Sequence, residues 1–209
     1  MKKSKIIIST LLCLLPMLFG VIFWDELPQT IATNFDFSGN ATGFSSKIST
    51  VFGIPAYMTA LNIFLVFALN FDTKKRNQPL KMKNLAYFTC PFISITVMGV
   101  ILLKALGVNI SMPSYVSALL AIIFVCAGNY LPKCKQNYTM GIRLPWTLND
   151  EENWNYTHRI CGKFWVAGGF LLIANIIFQN NFLLFAILII LCIVPFLSSF
   201  KFYLSHKSL

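Results

Sequence analysis

The residues best equipped for chemistry lie close together: Arg143, Trp146, Trp154, His158, Arg159 and Cys161 all fall in a polar stretch at residues 131–163. His158 and Cys161 form the one nearby imidazole and thiol pair, and a nucleophilic site also needs a third group to orient the base. None accompanies them in the sequence. Metal binding is no better served. The other histidine, His206, sits in the tail, and the six cysteines (Cys13, Cys90, Cys126, Cys134, Cys161, Cys192) show no CxxC or paired spacing. They read as small core residues. Catalysis, metals and cofactors are therefore not expected, and the stretch reads as a recognition or anchoring element made of cations and large rings.

The elements that must position these side chains are hydrophobic. A chain of 209 residues that is 56% hydrophobic, only 11% charged and carries 20 Phe is too apolar for a soluble domain. Its net charge of +10 would suggest nucleic acid in a soluble protein. Here the cations flank apolar runs, where they face anionic lipid headgroups, so membrane lipid is the expected partner and direct nucleic-acid binding is not. A bilayer core about 30 Å thick needs roughly 20 helical residues. Six runs qualify, near residues 6–23, 51–71, 85–106, 115–131, 160–179 and 182–202. Helices satisfy every backbone hydrogen bond internally in lipid. The expected fold class is an all-α, multi-pass membrane protein.

Orientation follows from the cations. Lys2, Lys3, Lys5, Lys74, Lys75, Arg76, Lys81, Lys83, Lys133, Lys135, Arg143, Arg159, Lys163, Lys201 and Lys207 fall on one side, 15 of the 17 Lys and Arg; Lys47 and Lys104 fall on the other. The positive-inside rule then places both termini and the 131–163 loop in the cytoplasm, with loop 24–50 outside. The first run ends in Phe23-Trp24-Asp25 without small residues at a cleavage spacing, so it reads as a retained helix and not a signal peptide. Two regions are expected: 1–84, with the extracellular loop 24–50, and 85–209, with the cytoplasmic motif loop 131–163.

Within the motif loop, Pro145 restricts Leu144 to extended geometry, so the chain should turn there. Asn149 or Thr147 is placed to cap a helix over residues 150–160, with Glu152 or Asp150 completing a capping box. On that helix Trp154 and His158, four apart, share a face with Cys161 nearby, while Glu151 and Asn155 point elsewhere. Such an amphipathic helix would lie at the membrane interface. Two readings stand side by side: Trp146 and Trp154 as interfacial anchors with Arg143 and Arg159 on lipid phosphate, or a defined binding structure.

The ordered series Asn137, Tyr138, Thr139, Met140, Gly141, Ile142, Arg143, Leu144, Pro145, Trp146, Thr147, Leu148, then Trp154, Thr157, His158, Arg159, Gly162-Lys163 and Gly168-Gly169, resembles the signature of the SdpI-like bacterial immunity proteins. Loop 24–50 adds a second resemblance. Leu27-Pro28-Gln29-Thr30-Ile31, Asn34-Phe35, Ser38-Gly39, Gly43 and Ser46-Lys47 are similar to the N-terminal domain of unknown function that many of these proteins carry. Ala32, Asn34 and Thr42 stand where that domain often has proline, histidine and aspartate, which weighs against a proton- or metal-linked role; tight turns account for Gly39 and Gly43.

The resemblance implies a protein of the bacterial cell membrane that protects the cell from a secreted peptide or protein toxin. It also implies a relay of toxin presence to a cytoplasmic transcriptional repressor, as in the best-known member. The alternative is a small secondary transporter or exporter. Transporters place ionisable groups or broken helices at mid-membrane, whereas these spans offer mainly Asn62, Thr96, Ser117 and Asn175.

Overall fold

A computed structural model describes residues 3–36 and 38–207; Lys2 of the amino-terminal cation cluster lies outside them. Among the described residues six helices are long and apolar enough to cross a membrane. They are α1 (Lys3–Ile22), α2 (Ile54–Phe71, preceded by a π-helical turn at Ser49–Gly53), α3 (Leu80–Ala105), α4 (Met112–Tyr130), α6 (Glu151–Phe178) and α7 (Asn181–Lys207), with a short α5 (Pro145–Asn149) between α4 and α6. Many of their large apolar side chains are exposed, Ile177 and Phe182 among the most open, as expected where hydrocarbon replaces water.

The chain forms two compact units. The N-terminal unit comprises the segment up to Phe71 together with Lys83–Met112. Its core gathers Leu27, Ile31, Val51, Met98, Ile101 and Leu102. Loop 24–50 is more than a glycine-turned connection: it folds as an antiparallel hairpin of β1 (Thr30–Phe35) and β2 (Ala41–Ser46), so the unit is not purely helical. Two strands alone are marginal in water. This pair is fastened by Leu27 and Ile31, both buried in the core. Asp36 closes the turn, its carboxylate accepting from the backbone N–H groups of Ser38 and Asn40 and from the Asn40 amide, and Gly39 supplies the positive φ of 88°. Lys47 is no surface cation. Its ammonium donates to the Trp24 carbonyl at 2.9 Å and lies over the Trp24 ring, tying the end of β2 to the end of α1. Pro28 and Asn34 remain exposed.

The C-terminal unit comprises Asp72–Met82 and Pro113–Leu209. α6 and α7 pack as an antiparallel pair joined at Gln179, and with α4 they bury Ala121, Leu172, Leu184, Ile187 and Leu191. α4 crosses α6 backbone to backbone at Gly128 and Gly162. A Cβ on Gly162 would lie 2.8 Å from the Gly128 carbonyl, and one on Gly128 2.9 Å from that of Gly162. Small residues permit such an approach between helices in lipid.

Three local expectations change. The helix at 150–160 is not a separate interfacial element; it runs unbroken into the fifth span as α6. Its cap is Asp150, whose carboxylate accepts from the N–H groups of Glu152 and Asn153, in place of Asn149 or Thr147. Pro145 does more than turn the chain: Leu144 is extended as expected, at φ −104° and ψ 154°, but Pro145 then opens α5.

Candidate functional site

The motif loop folds back onto the first turns of α6. Trp154 and His158, on one face of that helix, are fully buried and stack with ring centroids 4.0 Å apart. The Trp154 indole N–H donates to the Cys134 carbonyl at 2.7 Å. His158 Nε2 lies 2.9 Å from the Ile142 backbone N–H, and Nδ1 lies 2.8 Å from the Trp154 carbonyl. A backbone N–H only donates and a carbonyl only accepts, so Nε2 is the acceptor and Nδ1 carries the proton. The ring is a neutral organiser with both nitrogens committed. Gly141 passes over this pair with φ 102°, and a Cβ there would collide with His158 Nε2.

Around this lock the remaining motif residues hold the loop's own backbone. Asn137, buried, accepts from the N–H groups of Thr139 and Met140 through Oδ1 and donates to the Lys135 carbonyl at 2.8 Å. Thr147 Oγ1 accepts from the Leu144 N–H and donates toward the Ile142 carbonyl. Trp146 reaches α7, donating to Ser199 Oγ at 2.9 Å and packing among Phe196, Phe200 and Tyr203. Thr157 donates to Asn153 Oδ1, and Asn153 donates to the Ser199 carbonyl. Burial pushes the Cys134 thiol up to about 11, so it stays a neutral thiol. Among the described residues no group of three or more His, Cys, Asp or Glu gathers.

Four residues absent from the sequence expectation complete the site: Asp72, Gln136, Asn153 and Ser199. Gln136 donates to the Thr147 and Leu148 carbonyls and thereby closes the end of α5. Asp72 is a buried carboxylate with four donors. Lys74 N–H and the Gln78 amide come from its own loop, while the Tyr138 N–H at 3.0 Å and the Thr139 hydroxyl at 2.6 Å come from the motif loop. Burial alone raises its pKa, but these hydrogen bonds outweigh it and hold the carboxyl below the ordinary aspartate value. Its signal in the sequence is that it is the one acid in a loop of cations.

The structure separates the motif into two sets. Asn137, Thr147, Trp154, Thr157 and His158 are buried, and Gly141 and Trp146 are half-buried. Tyr138, Arg143, Pro145 and Arg159 are exposed, and Leu148 is half-buried. Arg143 donates to the Tyr138 carbonyl at 2.7 Å, which holds its guanidinium against the Tyr138 backbone on the outer surface.

The His158 geometry separates two outcomes. The amide oxygen of His158→Gln reaches the position of Nε2 and accepts from Ile142, so this variant should retain most of the wild-type thermal stability. His158→Asn ends at the level of Nδ1 and should fall between. His158→Leu leaves the Ile142 N–H unpaired and should lose about 1–3 kcal/mol. Thermal unfolding of the purified variants, followed by tryptophan fluorescence, orders the three; equal loss in all of them would show that ring shape, and not the Ile142 bond, matters.

Comparison with known proteins places these regions. Residues 133–199 match the SdpI/YfhL protein family, and residues 11–59 match the domain of unknown function DUF1648. Over its whole length the chain is 28% identical to the immunity protein SdpI of Bacillus subtilis (strain 168), covering 98% of that protein. No solved structure matches the chain.

Proposed function

We propose that this chain, SdpI-like in both its regions and built to cross the membrane several times, is an immunity protein that protects its cell from a secreted peptide or protein toxin. The observation that carries the reading is the end-to-end similarity to a protein named for immunity. The motif region supports it. Its inward residues spend their hydrogen bonds on the loop itself, which leaves a rigid surface bearing Arg143, Tyr138 and Arg159, suited to recognition and not to a reaction. In the proposed orientation both termini and this surface face the cytoplasm and the hairpin faces out, where a toxin arrives. A cytoplasmic transcriptional repressor is the partner we propose for the inner surface.

The decisive experiment expresses the chain in a toxin-sensitive strain and challenges it with the producer's culture supernatant. Wild-type expression should raise survival. Arg143→Ala should cut protection at unchanged abundance, because its side chain is exposed, whereas Trp146→Ala should lower abundance by detaching α5 from α7. Retained protection in Arg143→Ala would remove this surface from the function. Orientation is checked in the same cells: a cysteine at Ser38 should react with a membrane-impermeant maleimide without permeabilisation, and labelling only after permeabilisation would reverse the topology.

A further inference from the structure

Two cations, Lys47 and Lys104, fall on the hairpin side of the membrane in the proposed orientation, where positive charge is disfavoured. Lys47 has a local reason: it is buried, bonded to the Trp24 carbonyl and covered by the Trp24 ring. Lys104, in the last turn of α3, is less well served. It is half-buried, and its partners among the described residues are the Ile110 carbonyl, accepting at a long 3.3 Å, and the Phe35 ring, with its centroid 5.2 Å from the ammonium. An ammonium has three protons to donate. No carboxylate pairs with it among the described residues, and Asp36, next to Phe35 in the chain, spends both oxygens on Ser38 and Asn40. A cation drawn out of water with so little compensation calls for an anion. The ammonium lines an open cavity of about 210 Å³ between the hairpin and the end of α3. Ile31, Ile101 and Ala105 make its walls apolar, and Thr30, whose hydroxyl bonds no described residue, lies on the hairpin side. At roughly 30 Å³ per water molecule, the space suits one amino-acid-sized group and not a helix.

We infer that this cavity binds a carboxylate carried on a small aliphatic group, the chemistry of the free C-terminal end of a peptide. Lys104 supplies the charge and its uncommitted protons, and the Thr30 hydroxyl supplies a further donor. Hydrogen bonds to an ionised group of this kind are roughly twice as strong as neutral ones. The aliphatic part rests on Ile31, Ile101 and Ala105. A lipid phosphate fits less well, because its glycerol and ester oxygens would lie against those same apolar walls with nothing to bond them. A lysine at the end of a span ordinarily extends its ammonium to the headgroups. Here Phe35 and Ile110 hold it at the cavity wall instead. The inference rests on the immunity reading for the source of the carboxylate, a secreted toxin, but not for the presence of the site.

The test has two arms. In nanodiscs of zwitterionic lipid, the full chain with 4-fluorophenylalanine at position 35 is titrated with N-acetylleucine, with N-acetylleucinamide and with glycerol phosphate, and the fluorine resonance is followed. The expected result is a saturable shift with N-acetylleucine and binding of the amide at least about tenfold weaker, roughly 1.4 kcal/mol. Lys104→Met should abolish the difference, and Lys104→Arg should keep it. Methionine retains the apolar stem of the lysine, so the unit stays folded, and the arginine variant shows that charge is what matters. Equal binding of acid and amide, or a response that Lys104→Met leaves unchanged, overturns the inference. Tighter binding of glycerol phosphate makes the site a headgroup site and also overturns it. In sensitive cells, Lys104→Met should reduce protection at least about tenfold at normal abundance, with Lys104→Arg close to the wild type. Full protection in Lys104→Met overturns the toxin as the source of the carboxylate. If the wild type fails to protect while the Lys104-dependent shift persists, the immunity reading falls and the carboxylate site stands.

Discussion

Gly141→Ala is expected to unfasten the motif loop and abolish protection. Two costs combine at this position. A non-glycine residue at a φ of 102° is strained, by roughly 1–3 kcal/mol. The added methyl would also collide with His158 Nε2 and lie 3.0 Å from the Trp154 ring, so the Ile142 N–H could no longer reach its acceptor. Losing that bond while the imidazole stays buried adds about 1–3 kcal/mol. Together these approach the whole stability of a local element. The measurement is limited proteolysis of membranes, where the variant should be cut within residues 131–163 under conditions that leave the wild type intact. Gly107→Ala is the control. It carries a similar positive φ of 86° but has open space around its Cβ, so it meets the backbone strain alone. If the two variants resist proteolysis equally, the contact with His158 is not what holds the loop.

The second large effect is at Asp72. Asp72→Ala removes the acceptor of four donors at once, two of them on the motif loop. Each hydrogen bond to a charged group is worth about 1.5–3 kcal/mol, so even partial compensation by water leaves a loss of several kcal/mol. Asp72→Asn is the sharper probe, because one amide NH₂ must then face groups that are themselves donors. The pH dependence has a defined sign. The folded-state pKa is depressed, so the carboxylate's contribution is fully present above the ordinary aspartate value of 3.8 and is lost as pH falls through the lower folded value. Thermal unfolding of the wild type in detergent should therefore weaken below about pH 4, while Asp72→Asn starts lower at neutral pH and responds less to acid in that window. Parallel curves for both proteins would exclude Asp72 as the titrating group.

The membrane architecture was legible because bilayer thickness imposes a length and a composition that no other constraint imitates. The hairpin was not, because its strands are six residues each and their burial rests chiefly on Ile31, whose partners Met98, Ile101 and Leu102 are far away in sequence. Cap assignment failed for a different reason. Thr147, Asn149 and Asp150 are all competent caps, and the choice is made by tertiary structure, which commits the Thr147 hydroxyl to Leu144 and Ile142. The shared face of Trp154 and His158 was readable from spacing alone. Their partners were not: Ile142 lies 16 residues from His158, and Asp72 lies 66 residues from Tyr138.

α6 carries a consequence for how the motif is handled in the laboratory. Its 28 residues form one rod of about 42 Å, with Trp154 and His158 near one end, Gly162 against Gly128 further along and Leu172 in the lipid-level core. The motif is therefore not a portable sequence. A synthetic peptide covering residues 131–163 would lack Ser199, which receives Trp146 and Asn153, and Asp72, which receives Tyr138 and Thr139. Grafts into other membrane proteins must carry residues 72–82 and α4 through α7 as a block, and pull-down baits cut from the loop alone would present a surface that the intact protein never displays.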